Sequence, residues 1–146
     1  MARLYINKKN FEAHREAILK AFADYDRKAV RHSEIDLSPK PLRDELDSIL
    51  SDPSTFFVTE LDNEGNVTGF NIFKLQRIDD QMFINILHVY SKYPITKEFF
   101  YEVPRRTIGL DIPVITLSNN KHHKILIKKR GLKPRFLGYL YMIEEE

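Results

Sequence analysis

The stretch Asn119 to Pro134, NNKHHKILIKKRGLKP, gathers lysines, two histidines and an arginine around a short apolar run and ends at a glycine. Cations in that density suit phosphate groups, whether on a nucleic acid or on a phosphorylated cofactor. On a helix, Lys121, Lys124 and Lys128 align on one side, while Ile125 and Leu126, with Ile127 alongside, would face a sheet. Three readings stay open: a nucleic-acid-binding helix, a solvated helix whose C-terminal cations suit the helix dipole, and the last helix of a cofactor-binding fold. No RNA-binding aromatic motif and no helix-turn-helix pattern accompanies the cluster, so nucleic acid is not the expected partner.

The remaining reactive side chains exclude more than they assign. His122 and His123 are adjacent and point about 100° apart on a helix, a poor geometry for one ion. His14 and His32 lie elsewhere, there is no H-x-x-x-H, and the chain has no cysteine. A metal site is therefore not expected. Asn63-Glu64-Gly65-Asn66 has the residues of a hairpin turn, and no G-x-S-x-G or P-loop pattern occurs. Phe99, Phe100 and Tyr101 are more aromatic surface than one helical face buries, so at least one of them is expected in the core while the group as a whole suggests a protein partner or a homo-oligomer.

These residues need a scaffold. With 146 residues, 10 Phe and 7 Tyr, the chain is expected to form one domain over residues 1–146 with a true core. Its net charge of +2 gives no global pull toward nucleic acid or membranes, and no run approaches the roughly 20 apolar residues of a membrane span. A soluble, intracellular, cytoplasmic protein is expected. Ala2 to Ile6 suggests a strand, and the apolar positions Phe11, Ile18, Leu19 and Phe22 suggest a helix. Ser38-Pro39 would start a second helix ending near Ser51. Thr55 to Leu61, Asn66 to Ile78 and Gln81 to Ser91, joined by turn residues, predict an antiparallel meander. Thr96 would cap a helix that Pro104 interrupts or kinks, Pro113 to Ser118 would be a buried strand, and a helix closed by Gly131 would precede a last strand, Gly138 to Ile143. The fold class is α/β (α+β), a mixed central sheet in the order β-α-α-β-β-β-α-β-α-β.

That order, with its Asn-helix-Gly-strand ending, resembles the acyl-CoA N-acyltransferase (GNAT) superfamily over essentially the whole chain. The family's last helix carries a pattern like N-x-x-A-x-x-x-Y-x-x-x-G-F; Asn120 and Gly131 fall on its Asn and Gly, while His123, Ile127 and Leu132 replace the alanine, tyrosine and phenylalanine. The resemblance implies a donor site between splayed parallel strands, with the pyrophosphate at the start of the third helix. The family's loop, [RQ]-x-x-G-x-[GA], corresponds to Val89 to Phe100, VYSKYPITKEFF, with Pro94, Lys97 and Phe99 at the three hallmark positions. Lys92 and Lys97 would partly compensate as point charges.

What the resemblance implies can be stated residue by residue. The donor would lie along Leu87, Val89 and Tyr90, the loop Tyr93, Ile95, Thr96 and Lys97 would lie by its pyrophosphate, and Asn120 would orient it. The base for the acceptor amine would be His88 or Glu60; strict strand alternation puts His88 with Ile84, Ile86 and Tyr90, where a core histidine bonded to backbone is the competing reading. Ile127 cannot protonate a leaving thiolate. Asp44, Glu45, Asp47 and Asp52 could meet a cationic acceptor, or form the solvated side of the second helix. The favoured expectation is an acetyltransferase-like protein with a degenerate acyl-CoA site and no cofactor, serving as a non-catalytic interaction or structural module, in a setting that includes phage and viral proteins. The alternative is an active N-acetyltransferase moving an acetyl group from acetyl-CoA to a primary amine.

Overall fold

The computed structural model describes residues 4–29, 41–116, 121–135, 137, 143 and 145. Among the described residues, five strands, β1 Leu4–Ile6, β2 Thr55–Leu61, β3 Val67–Ile78, β4 Gln81–Ser91 and β5 Val114–Thr116, form one sheet in sequential order. The first four are antiparallel neighbours, and β5 joins β4 in parallel. The meander has the expected bounds to within one residue, β3 starting at Val67 and not Asn66, because its turns are locally determined. Asp62 Oδ1 accepts the N–H groups of Glu64 and Asn66 at 2.9 Å, and Gly65 takes φ 81°. Asp79 takes φ 54° in the next turn, a conformation that aspartate tolerates better than most residues.

One sheet face is covered by α1 Arg15–Ala29 and α2 Leu46–Ser51. Ile18, Ala21 and Phe22 recur at helical spacing on α1 and pack with Leu42, Leu46, Phe57, Phe70 and Ile72. Two 3-10 turns, Lys8–Asn10 and Glu12–His14, precede α1, and Asn7 Oδ1 caps the first by accepting Lys9 N–H at 3.0 Å. The second helical segment starts with a 3-10 turn at Leu42–Glu45; Ser38-Pro39, its expected start, lies outside the described residues. Both carboxylate oxygens of Asp26 accept Leu42 N–H at 3.0 Å, which ties the end of α1 to that turn.

The opposite face holds a π-helical turn, Glu98–Glu102, running into α3 Val103–Ile108, and α4 Lys121–Lys129. Phe99 stacks on Tyr5, and Phe100 and Val103 pack with Val58, Phe73, Ile84 and Ile86. Pro104 does not end this helix. The wide turn just before it accommodates the ring and the missing N–H, and Gly109 then closes the helix at φ 75°. α4 ends as expected, with Gly131 at φ 78°. Its inward face differs from expectation: Ile127 packs inward, while Ile125 and Leu126 are exposed. Ile127 and Arg130 are three apart and share a side, so Arg130 comes to the sheet with Ile127. Gly138 to Met142 of the expected last strand lie outside the described residues.

Candidate functional site

The geometry turns on one extra residue in β4. Phe73 pairs with Ile86 and Ile72 with His88, so Leu87 is a bulge. Strict alternation would put His88 beside Ile84 and Ile86, but the bulge corrects this. Ile84 and Ile86 face α3, whereas His88 faces α1 together with Tyr90. Nor is His88 enclosed among apolar side chains with only backbone for a partner. Its side chain is 31% exposed, its Nδ1 lies 2.6 Å from the Tyr25 hydroxyl oxygen, and its Nε2 lies 3.8 Å from Glu45 Oε2. Burial, with Asp26 and Glu45 nearby, pushes the Tyr25 hydroxyl up to about 12.

The bulge adjoins a change in the strand's edge. Among the described residues, pairing with β5 ends at Ile86 and Thr116, and β4 runs on to Ser91. Lys92 N–H donates to Thr68 O at 2.8 Å, which sets the parity. His88 and Tyr90 turn their peptide groups to β3, and Val89 and Ser91 turn theirs to the opposite edge. Tyr90 also places its ring in the core against Phe70, so of the expected donor residues on β4 it is Val89 whose peptide addresses that edge. Leu87, at the bulge, is exposed.

Past β4, Tyr93 and Lys97 are exposed and Ile95 packs inward. Thr96 caps the helix, its Oγ1 accepting Phe99 N–H at 3.1 Å and its carbonyl accepting Phe100 N–H at 3.0 Å. Of the two bulky residues at the hallmark positions that would be small in the family's loop, Phe99 buries its ring fully on Tyr5, leaving Lys97 as the projecting side chain. Arg130 closes over this segment, its Nε donating to Ile95 O at 3.2 Å and its guanidinium lying 4.6 Å from the Phe100 ring centroid. Asn120 lies outside the described residues.

The two candidate bases are not brought together. Glu60 pairs with Gly69 on β3, on the α3 side, and is buried there with Thr68 and Ser91. His88 faces the other side. Sequence reasoning missed Tyr25 and Arg130 as site residues. Tyr25 carried a signal: a tyrosine on an otherwise apolar helix face needs a partner for its hydroxyl.

Of the acidic cluster, only Glu45 has its carboxylate placed beside His88; Asp52 instead accepts Ser54 N–H, Ser54 Oγ and Thr55 Oγ1 at 2.8 to 3.0 Å, a turn knot. Among the described residues no group of histidine and acidic side chains could hold a metal, and no helix is long and apolar enough to cross a membrane. A shallow groove is lined by Glu102, Arg105, Arg106 and Asp111, none of them an expected site residue.

No protein-family model matches the chain, and no curated protein matches it in sequence. Solved structures do match in shape. A ribosomal-protein-alanine N-acetyltransferase from Brucella melitensis biovar Abortus 2308 is similar with a TM-score of 0.63 at 12% identity, over 99% of both chains. A probable acetyltransferase is similar with a TM-score of 0.66 at 12% identity, over 100% of both. AAC(6')-Iy, solved with the bisubstrate analogue CoA-S-monomethyl-acetylneamine, is similar with a TM-score of 0.65 at 11% identity, over 99% of both. The chain has the GNAT fold.

Proposed function

We propose that the chain is an acyl-CoA-dependent N-acyltransferase in which His88 is the general base. The observation that carries this reading is the β4 bulge. It turns His88 away from Ile86 toward Tyr25 and Glu45, at the point where, among the described residues, β4 runs on beyond its pairing with β5. A CoA-linked analogue bound to one structural neighbour supports acyl-CoA as the donor.

The fit of the donor rests on the edge of β4 beyond Ile86, which pairs with no strand on that side among the described residues. Val89 offers peptide groups there, as an extended amide-bearing chain requires, and Thr96 and Lys97 open the helix beyond it. The donor supplies an activated acyl thioester. This chain's residues supply the proton path. For Nε2 to accept a proton from the amine, Nδ1 must carry its own and donate it to the Tyr25 oxygen. A hydroxyl pushed up to about 12 stays protonated at neutral pH and still has lone pairs to accept that bond. Glu45, 3.8 Å from Nε2, then favours the imidazolium and a cationic amine beside it. Both partners are partly exposed, so this attraction is about 1 kcal/mol or less. With Ile127 in place of a tyrosine acid, the thiolate takes its proton from water.

One observation favours a second reading, a non-catalytic module whose donor site is degenerate. Arg130 holds Ile95 and covers Phe100, and the loop lacks the family's glycines. Calorimetric titration with acetyl-CoA, repeated with desulfo-CoA, separates the two. Saturable binding, followed by amine-dependent thiol release that His88→Ala abolishes, is the expected result. No binding at millimolar ligand overturns the enzyme reading in favour of the module.

A further inference from the structure

Glu60 is 1% exposed and sits in a row of three residues across three strands, Glu60 on β2, Gly69 on β3 and Ser91 on β4. Gly69 has no side chain to separate the other two. A Cβ there would lie 2.3 Å from Tyr90 O and 3.2 Å from Ser91 Cβ, so no other residue fits without moving backbone. Across this gap Ser91 Oγ donates to Glu60 Oε1 at 3.1 Å, and Thr68 Oγ1 donates to the same oxygen at 2.8 Å. Having donated its proton, the Ser91 hydroxyl accepts Tyr93 N–H at 3.1 Å. Lys92, between them, is held separately by its N–H bond to Thr68 O.

We propose that Glu60 is a positioning residue: through Ser91 it fixes the turn Ser91 to Tyr93, and so sets the affinity of the segment from Tyr93 to Lys97 for the acyl donor. The donor half of this inference rests on the acyltransferase reading above; the anchoring half does not. The bonds give Oε1 of this buried carboxylate two hydroxyl donors, in a sheet where an apolar side chain would otherwise pack. Its direction matters, because an acceptor at position 60 aligns the Ser91 proton and leaves the serine lone pairs for Tyr93.

The test compares Ser91→Ala, Ser91→Thr, Thr68→Ala, Glu60→Leu and Glu60→Gln in the full chain, reading Tyr93 amide exchange by NMR and acetyl-CoA affinity by titration. Ser91→Ala and Glu60→Leu are expected to speed Tyr93 exchange and weaken acetyl-CoA by about tenfold each, the scale of one hydrogen bond. Ser91→Thr keeps the hydroxyl, Glu60→Gln keeps an acceptor, and both are expected to restore the wild-type values. Thr68→Ala removes a bond to the same carboxylate oxygen but none in the turn, and is expected to leave both readouts unchanged. Equal loosening by Thr68→Ala and Ser91→Ala, or unchanged Tyr93 exchange in Ser91→Ala, would overturn the anchoring. If Glu60→Leu does not fold, Ser91→Ala and Glu60→Gln still decide it. A wild type that fails to bind acetyl-CoA overturns the acyltransferase reading and the donor half, while Tyr93 exchange still decides the anchoring half.

Discussion

The Tyr25 hydroxyl and His88 Nδ1 meet at 2.6 Å across 63 positions of sequence, joining the last turns of α1 to the bulged segment of β4. The contact fixes the imidazole ring and, on the acyltransferase reading, its tautomer. His88→Gln is expected to lower kcat by about 10²-fold or more, the usual contribution of a general base, with little change in the KM for acetyl-CoA. Tyr25→Phe keeps the ring packed on Phe70 and removes only the hydroxyl, so a smaller kcat loss of about tenfold is expected at nearly unchanged thermal stability. Steady-state kinetics with both substrates varied separates these outcomes, and a loss confined to KM in either variant would count against the assignment.

The same hydroxyl makes an alkaline prediction. Its folded value, about 12, lies above the ordinary 10, so the folded state holds this proton more tightly than the unfolded chain does. The stabilisation is present in full below pH 10 and is lost as pH rises toward 12. Thermal melts at pH 9 and pH 11 should therefore show the wild type losing more Tm than Tyr25→Phe, which has no proton to lose. Parallel losses in the two proteins would refute this.

How much was legible follows from where each structural cause lies. The meander was readable to within a residue because Asp62, Gly65 and Asp79 are local turn chemistry. The Thr96 cap and the Gly131 stop were readable for the same reason. The face of His88 was not. A bulge is a mismatch between two strands, and nothing within Ile84 to Tyr90 alone marks Leu87 as the extra residue, so period-two alternation assigned the wrong side. The inward turn of Phe99 was hidden likewise. It depends on Tyr5, which is distant in sequence, and on a π-helical turn that shifts the helical phase.

Asp52 bears on the acid side. Its hydrogen bonds from Ser54 and Thr55, led by the Ser54 backbone N–H, hold its carboxyl down at about 2 against an ordinary 3.8. A lowered folded value means that the stabilisation is complete above about pH 4 and disappears as pH falls through 2. Asp52→Asn keeps one acceptor oxygen and cannot titrate. Its Tm should fall less than that of the wild type between pH 4 and pH 2; an identical acid profile would place the acid sensitivity elsewhere.

Gly69→Ala tests the tightness of the β3 to β4 approach. The added methyl meets Tyr90 O, a backbone atom in a paired strand that cannot swing aside. A destabilisation of about 1–3 kcal/mol is expected, the usual range for overpacking. Urea denaturation measures it, and a neutral result would mean that the strands separate at Gly69 more readily than their register implies.

On the acyltransferase reading, the segment from Tyr93 to Phe99 offers two substitutions that look alike in sequence and differ in structure. Lys97 is exposed at the opening of the helix, so Lys97→Gly removes a side chain from the surface a pyrophosphate would approach and leaves the core untouched. Phe99 is fully buried against Tyr5, and Phe99→Gly would leave a cavity, with a cost of about 3–5 kcal/mol by comparison with other phenylalanine truncations. Lys97→Gly is therefore expected to keep the wild-type Tm. Its effect on CoA affinity reports which property of the position matters: tighter binding means that the backbone approach was limiting, and weaker binding means that the lysine charge holds the phosphate. Unchanged affinity, in a protein that binds acetyl-CoA, would remove residue 97 from the donor site and shift the phosphate contacts toward Tyr93 and Arg130, where Arg130→Gln should then weaken binding.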